Sequence, residues 1–136
     1  MAVQFFSEQT DMPDFDKKTH KLWIEKVIAQ HGKKSGSINY IFTTDSFLLD
    51  INKTYLQHDY LTDIITFNFS DARTLHGDIY ISTERVRENA AALGTSANEL
   101  QRVMIHGILH LLGFDDNNDE NKATMRKAED ECLGML

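Results

Sequence analysis

The apolar positions along the chain change period in a readable order. Val3-Gln4-Phe5-Phe6 is a short apolar stretch and reads as a first strand. Met12-Pro13-Asp14 breaks it. Asp14 can cap a helix running through Leu22, Trp23, Val27 and Ile28, and His31-Gly32 ends it. Residues Ser37 to Thr43 are rich in β-branched and aromatic side chains and read as a second strand. Thr44 caps the next helix, with Phe47, Leu48, Ile51, Tyr55 and Leu56 on one side. His58-Asp59-Tyr60 is a polar link to a stretch, Thr62 to Phe69, whose second half is β-prone. Ser70 to Leu75 is a polar turn, and His76 to Ser82 is a further strand in which Gly77 permits close approach of another backbone. Ser82 or Thr83 caps a helix through Val86, Ala90, Ala91 and Leu93, ended by Gly94.

Ser96 with Glu99 makes a capping box, so the next helix is expected to start near Ala97. On its wheel Leu100, Met104, Ile105, Ile108, Leu111 and Leu112 fall opposite His106 and His110, while Glu99 and Arg102 share the histidine side with Val103 beside them. Gly113 stands where a left-handed cap closes a helix. Asn118 or Asp119 caps a last helix through Met125, Ala128 and Leu133, and its run Glu129-Asp130-Glu131 reads as a solvated face. The order is βαβαββααα. It predicts an α/β (α+β) fold, a small mixed four-stranded sheet packed with about five helices, with the last two strands antiparallel neighbours. With no linker, repeat or low-complexity segment, residues 1–136 are expected to form one domain.

The chemistry sits on the fourth of these helices. Residues four apart share a helix face, so His106 and His110 can offer their imidazoles to one cation. Burying two imidazoles among Ile and Leu costs free energy unless they have partners. The turn at Gly113 can bring Phe114-Asp115-Asp116 back over the helix end, and Asp116 would complete a His, His, carboxylate set. Imidazole and carboxylate suit zinc, and three protein ligands with an open fourth position are typical of a catalytic zinc. The spacing also touches the metzincin pattern H-E-x-x-H-x-x-G-x-x-H. Gly107, however, stands where such a protease needs its glutamate base, which argues against peptide hydrolysis by that route. His20 and His31 read as solvent-facing or capping residues.

Composition narrows the classes further. An apolar fraction of 41% supports one core. No apolar run approaches the roughly 18 residues of a membrane span, and the first residues lack the basic region of a signal peptide. The single cysteine, Cys132, rules out an internal disulfide, suits a reducing cytosol and is expected to serve packing. A formal charge of −7 counts against a nucleic-acid partner, which normally meets clustered Lys and Arg. Basic residues do gather at Lys17, Lys18, Lys21, Lys26, Lys33 and Lys34, and again at Arg85, Arg87 and Arg102, so a local basic cleft is compatible with that charge.

Residues 106 to 116, His-Gly-Ile-Leu-His-Leu-Leu-Gly-Phe-Asp-Asp, resemble the signature H-G-x-L-H-L-x-G-[YF]-D-H of the YbeY family, bacterial metal-dependent endoribonucleases of ribosomal RNA maturation. The departure is the last place, where Asp116 replaces the usual third histidine. A second block, L-N-x-x-Y-R-x-x-D-x-x-T-D-V-L-S-F-P, is matched at Asn52, Tyr55, Asp59, Thr62, Asp63 and Phe67. It fails at Leu56, where many members carry an arginine implicated in RNA cleavage, and at Asn68, where they carry proline. Gly77-Asp78-Ile79 resembles a third block, G-D-I-x-I.

The resemblance implies a zinc-dependent endoribonuclease of single-stranded RNA in the cytoplasm. It implies a role in 16S rRNA 3′-end maturation and ribosome quality control, with the small ribosomal subunit and its assembly factors as partners and no membrane. One zinc ion would be held by His106, His110 and Asp116. Catalytic candidates are His106 as ligand, and Asp63 and Asp78 by residue type; Asp78 is read either as a site residue or as a turn cap. Two other classes stay open: a zinc-stabilised ribosome assembly factor that does not cut, and a metallohydrolase with a non-nucleic substrate.

Overall fold

A computed structural model describes residues 3–57, 62–94 and 98–136. The alternation of apolar and polar positions builds four strands: β1 (Val3–Ser7), β2 (Lys34–Thr43), β3 (Ile64–Asn68) and β4 (Thr74–Ser82). They form a single mixed sheet in the order β1-β2-β4-β3. β1 and β4 both run parallel to β2, and β3 runs antiparallel to β4 with Thr66 opposite Ile79. Parallel neighbours need a crossover, which α1 (Lys17–Gln30) supplies between β1 and β2. The remaining helices are α2 (Asp45–Tyr55), α3 (Thr83–Leu93), α4 (Glu99–Leu111) and α5 (Asp119–Leu133). This is the expected element order and the expected α/β architecture.

One face of the sheet carries the main core. Ile38, Tyr40 and Phe42 of β2 alternate with half-buried or exposed positions, as do Leu75, Ile79 and Ile81 of β4, and all six are buried. Phe5 stacks on Tyr40 with ring centroids 5.6 Å apart and meets Phe15 edge-on at 5.0 Å. Two polar side chains tie distant elements to this face. The Tyr40 hydroxyl donates to the Met104 carbonyl of α4 at 2.8 Å, and the Trp23 indole donates to the Cys132 carbonyl of α5 at 2.8 Å. Each contact satisfies a buried donor that would otherwise cost free energy. Cys132 is buried, as a packing residue should be.

α4 lies close against β4 because two glycines leave room. A Cβ on Gly107 would come within 2.9 Å of Ile79 Cγ2, and one on Gly77 within 2.8 Å of both Leu111 Cδ2 and the Phe67 carbonyl. Gly107→Ala is therefore expected to overpack this seat. It should cost about 1–2 kcal/mol, overpacking partly offset by alanine's better helix propensity. A lowered urea midpoint at unchanged slope would show it; an unchanged midpoint would mean that β4 yields without cost. The same geometry explains why position 107 holds no acid: a side chain there points into the sheet at Ile79 and Ile64, away from any cleft.

The end of α4 forms as Gly113 predicts. Gly113, at φ 104°, donates its N–H to the His110 carbonyl at 3.0 Å, and Phe114 donates to the Leu109 carbonyl at 2.9 Å. These two bonds make a Schellman closure, which reverses the chain and returns Asp116 toward the histidines.

Several expectations need correction. Asp16, not Asp14, caps α1: its side chain accepts from the Thr19 N–H at 3.1 Å. β2 begins at Lys34 and β4 at Thr74, because Asp71 accepts the Arg73 and Thr74 N–H groups and so finishes the turn early. His20 is buried, with Nδ1 on the Asp16 carbonyl at 2.8 Å and Nε2 on the Gln101 amide at 3.1 Å. His31 sits at the α1 C-terminus with Nδ1 on the Val27 carbonyl, a capping role as expected. Among the described residues α4 begins at Glu99, with Asn98 at the N-cap and no side-chain cap bond. The expected cap Ser96, the start at Ala97, the link His58-Asp59-Tyr60 with its block match at Asp59, and residues 1 and 2 lie outside the described residues.

Candidate metal centre

α4 is apolar on more sides than its pattern suggests, with Leu109 fully buried beside Met104, Ile105 and Ile108. That burial fixes its rotation and leaves a strip bearing Glu99, Arg102, Val103 and His106 along a small cleft. His106 and His110 stand one turn apart, their rings 4.5 Å between centroids and nearly perpendicular. Asp116 approaches both from the chain beyond the Schellman turn. Its Oδ2 lies 3.3 Å from His106 Nε2 and 3.6 Å from His110 Nε2. One donor atom from each of the three residues falls within a 4.8 Å group.

These separations fit a metal ion. Tetrahedral zinc with ligand bonds of 2.0–2.1 Å sets its donors about 3.3–3.4 Å apart. The two imidazoles and the carboxylate also match the ligand chemistry of zinc. His106 is further prepared by its other nitrogen. Nδ1 donates to Glu129 Oε2 at 2.6 Å, which fixes the tautomer and turns the Nε2 lone pair toward Asp116 and His110.

Glu129 was expected on a solvated face, and that expectation is overturned. It is buried, and its second oxygen accepts from Arg102 Nη1 at 2.9 Å. Arg102 Nη2 reaches Asp130 at 2.7 Å, so the guanidinium bridges two acids of α5. The signal was present but subtle: Met125, Glu129 and Cys132 share one stripe of α5, and all three are buried. A glutamate inside an apolar stripe asks for a buried partner.

Electrostatics follow from these contacts. Burial alone would raise the Glu129 carboxyl, but the hydrogen bonds from His106 and Arg102 outweigh it and hold Glu129 below its ordinary value. Burial disfavours the His106 imidazolium, yet the Glu129 hydrogen bond and charge, with Asp116 and Asp63, raise His106 above its ordinary value in the metal-free protein. Asp63, just before β3, lines the same cleft. Burial raises its carboxyl, Glu99 and Glu129 add to the rise, and His106 opposes it.

The structure does not bring Asp78 to this group. Along β4, Gly77 and Ile79 face α4, so Asp78 and Tyr80 point to the other face of the sheet. There Tyr80 stacks with Phe47 of α2, and Asp78 accepts from the Asn39 amide at 3.0 Å. Asp78 therefore lies away from the metal group, paired with Asn39 of the neighbouring strand rather than capping a turn. Leu56 forms the C-cap of α2, is 41% exposed and does not line the cleft. The cleft lining that sequence reasoning missed is Glu129 and Arg126, both from α5.

A four-stranded mixed sheet carrying a His, His, Asp donor group on α4 and the turn after it defines a small α/β domain built around a candidate metal centre. Its family is shown by comparison: the chain belongs to the YbeY family, whose model, described as Endoribonuclease YbeY, matches residues 4–136. A protein of Bacteroides thetaiotaomicron named Endoribonuclease YbeY is 45% identical over 136 residues, covering 99% of each chain. One of Flavobacterium psychrophilum with the same name is 46% identical over 132 residues, covering 96% of this chain and 94% of its own. A solution structure from Thermotoga maritima superposes with a TM-score of 0.68 at 24% identity. It covers 98% of this chain and 87% of that one, and it supports the fold.

Proposed function

We propose that this chain is a zinc-dependent endoribonuclease that cuts single-stranded RNA, acting in 16S rRNA 3′-end maturation and ribosome quality control. The observation that carries the reading is the donor group: Asp116 Oδ2 lies 3.3 Å from His106 Nε2 and 3.6 Å from His110 Nε2, one donor from each residue falling within 4.8 Å of the others, in a chain of an endoribonuclease family. Zinc held there would supply Lewis acidity, polarising a phosphoryl oxygen and making water acidic enough to attack near neutral pH.

The protein's own groups supply the rest. Glu129 holds the His106 ring and keeps its proton on Nδ1. Asp63 lines the cleft with a carboxyl raised by burial, which suits a general base that takes a proton from the attacking water. The place of action that goes with this reading is the cytoplasm, on the small ribosomal subunit and its assembly factors; among the described residues no helix is long and apolar enough to cross a membrane.

A second reading, a zinc-stabilised assembly factor that binds the ribosomal particle without cutting, is favoured by one observation. Leu56, at the place of the family arginine, brings no charge. Labelled single-stranded RNA incubated with zinc-loaded protein separates the two. Cutting is expected with zinc, should vanish on chelation and should return on re-addition. Bound zinc without cutting would sink the nuclease reading on free RNA and move the assignment to the assembly factor.

A further inference from the structure

The cleft beside the metal group is lined by four acids, Asp63, Glu99, Asp116 and Glu129, and by two arginines, Arg102 and Arg126. An RNA strand carries one negative charge per phosphate, so this lining repels it except where a cation meets it. Arg102 cannot serve. Its two terminal nitrogens are bonded to Glu129 and Asp130, its side chain is only 12% exposed, and removing it would leave Glu129 with His106 as its one remaining partner among the described residues. Leu56 brings no charge and does not line the cleft. Arg126 differs on every count. It projects from α5, one turn before Asp130, and is exposed. Among the described residues it forms no ion pair or hydrogen bond, and its charge is felt at Asp130, itself held by Arg102.

We propose that Arg126 holds a phosphate of the RNA strand at the mouth of the cleft, while the neighbouring phosphodiester is presented to the metal group. A guanidinium meets two phosphate oxygens at once, so one free arginine can both attract and orient a strand. The acids on the other walls then act as a filter: a strand placed away from Arg126 meets like charge. This assignment rests on the RNA reading above, and its test separates the two.

Fluorescent single-stranded RNA is titrated into zinc-loaded wild type, Arg126→Ala and Arg126→Lys at several salt concentrations, and the same samples are run on a gel. Zinc content is measured in each variant and should be unchanged. Arg126→Ala should bind about tenfold more weakly, and its slope of log affinity against log salt should shrink by about 0.7, the share of one single-strand phosphate. Arg126→Lys should recover the slope but only part of the affinity, because a point charge replaces a fork. Lys127→Ala removes an equal charge from the same helix, on the side facing His31 and Phe114, and should bind as wild type. Equal affinity and slope in Arg126→Ala and wild type overturns the inference, and the nuclease reading survives if wild type cuts. A wild type that binds with the Arg126-dependent slope but does not cut keeps the inference and sinks the nuclease reading. No binding by wild type overturns both.

Discussion

Replacing His110 or Asp116 with alanine should empty the metal centre: zinc per chain is expected to fall from about one to near zero after dialysis against micromolar free zinc. Structural zinc sites with four ligands bind with about 10–16 kcal/mol, so one ligand lost is worth roughly a hundred- to a thousandfold in affinity. Neither change should unfold the chain. Asp116 is 43% exposed at its side chain and His110 26%, and the Schellman bonds that shape this turn are made by backbone atoms. RNA cutting, if zinc drives it, should disappear with the metal in both variants. Asp116→Ala is the sharper of the two, since aspartate replaces the histidine of the family signature at that place. Unchanged zinc content in Asp116→Ala would mean that the third ligand lies elsewhere, and Asp115, its chain neighbour, would be next.

Much of this centre could be read from the chain because helix geometry is local. The spacing of His106 and His110 and the glycine at 113 determine a shared face and a chain reversal within eleven residues, with no need of the rest of the fold. The element order was equally accessible, since β2 and β4 alternate cleanly and Gly94 closes α3 at φ 68°. What could not be read depends on which surfaces meet. Glu129 lies 23 residues from its partner His106, and only the packing of α5 on α4 makes it a buried acceptor rather than a solvated charge. The placement of Asp78 away from the metal group was hidden for the complementary reason. A strand offers its side chains to two faces, and the sheet had to be assembled before it was clear that α4 covers the Gly77 and Ile79 face. His20 followed the same rule: Gln101 and the carbonyl of Asp16 satisfy it, and the former comes from a distant helix. Arg126 is the converse case, a surface cation whose meaning comes only from the cleft it borders.

Glu129→Ala should have the second large effect, and on two quantities at once. It leaves Arg102, at 12% exposure, with Asp130 as its remaining acid; breaking a buried pair from one side costs about 3–5 kcal/mol when the charge is left alone, so the loss should lie below that range. It also frees the His106 ring, and loss of such an outer partner lowers metal affinity about 10–100-fold. Glu129→Gln separates the two. The amide oxygen can still accept from His106 Nδ1, so zinc affinity should fall less, while one of the two negative charges that meet Arg102 is gone and stability should drop.

The pH dependence of the metal-free protein gives an independent reading. Glu129 titrates below its ordinary 4.5, so its contribution is present above that value and lost as pH falls through the folded pKa. His106 titrates above its ordinary 6.5, so its contribution is full below that value and lost as pH rises through the folded pKa. The pair therefore stabilises the metal-free chain most between about pH 4.5 and 6.5, and urea midpoints of wild type should peak there relative to Glu129→Gln. A difference that is flat with pH would mean the pair is not formed in solution. If both variants then kept full zinc affinity, His106 would be oriented by the helix alone, and Glu129 would be a partner for Arg102 and nothing more.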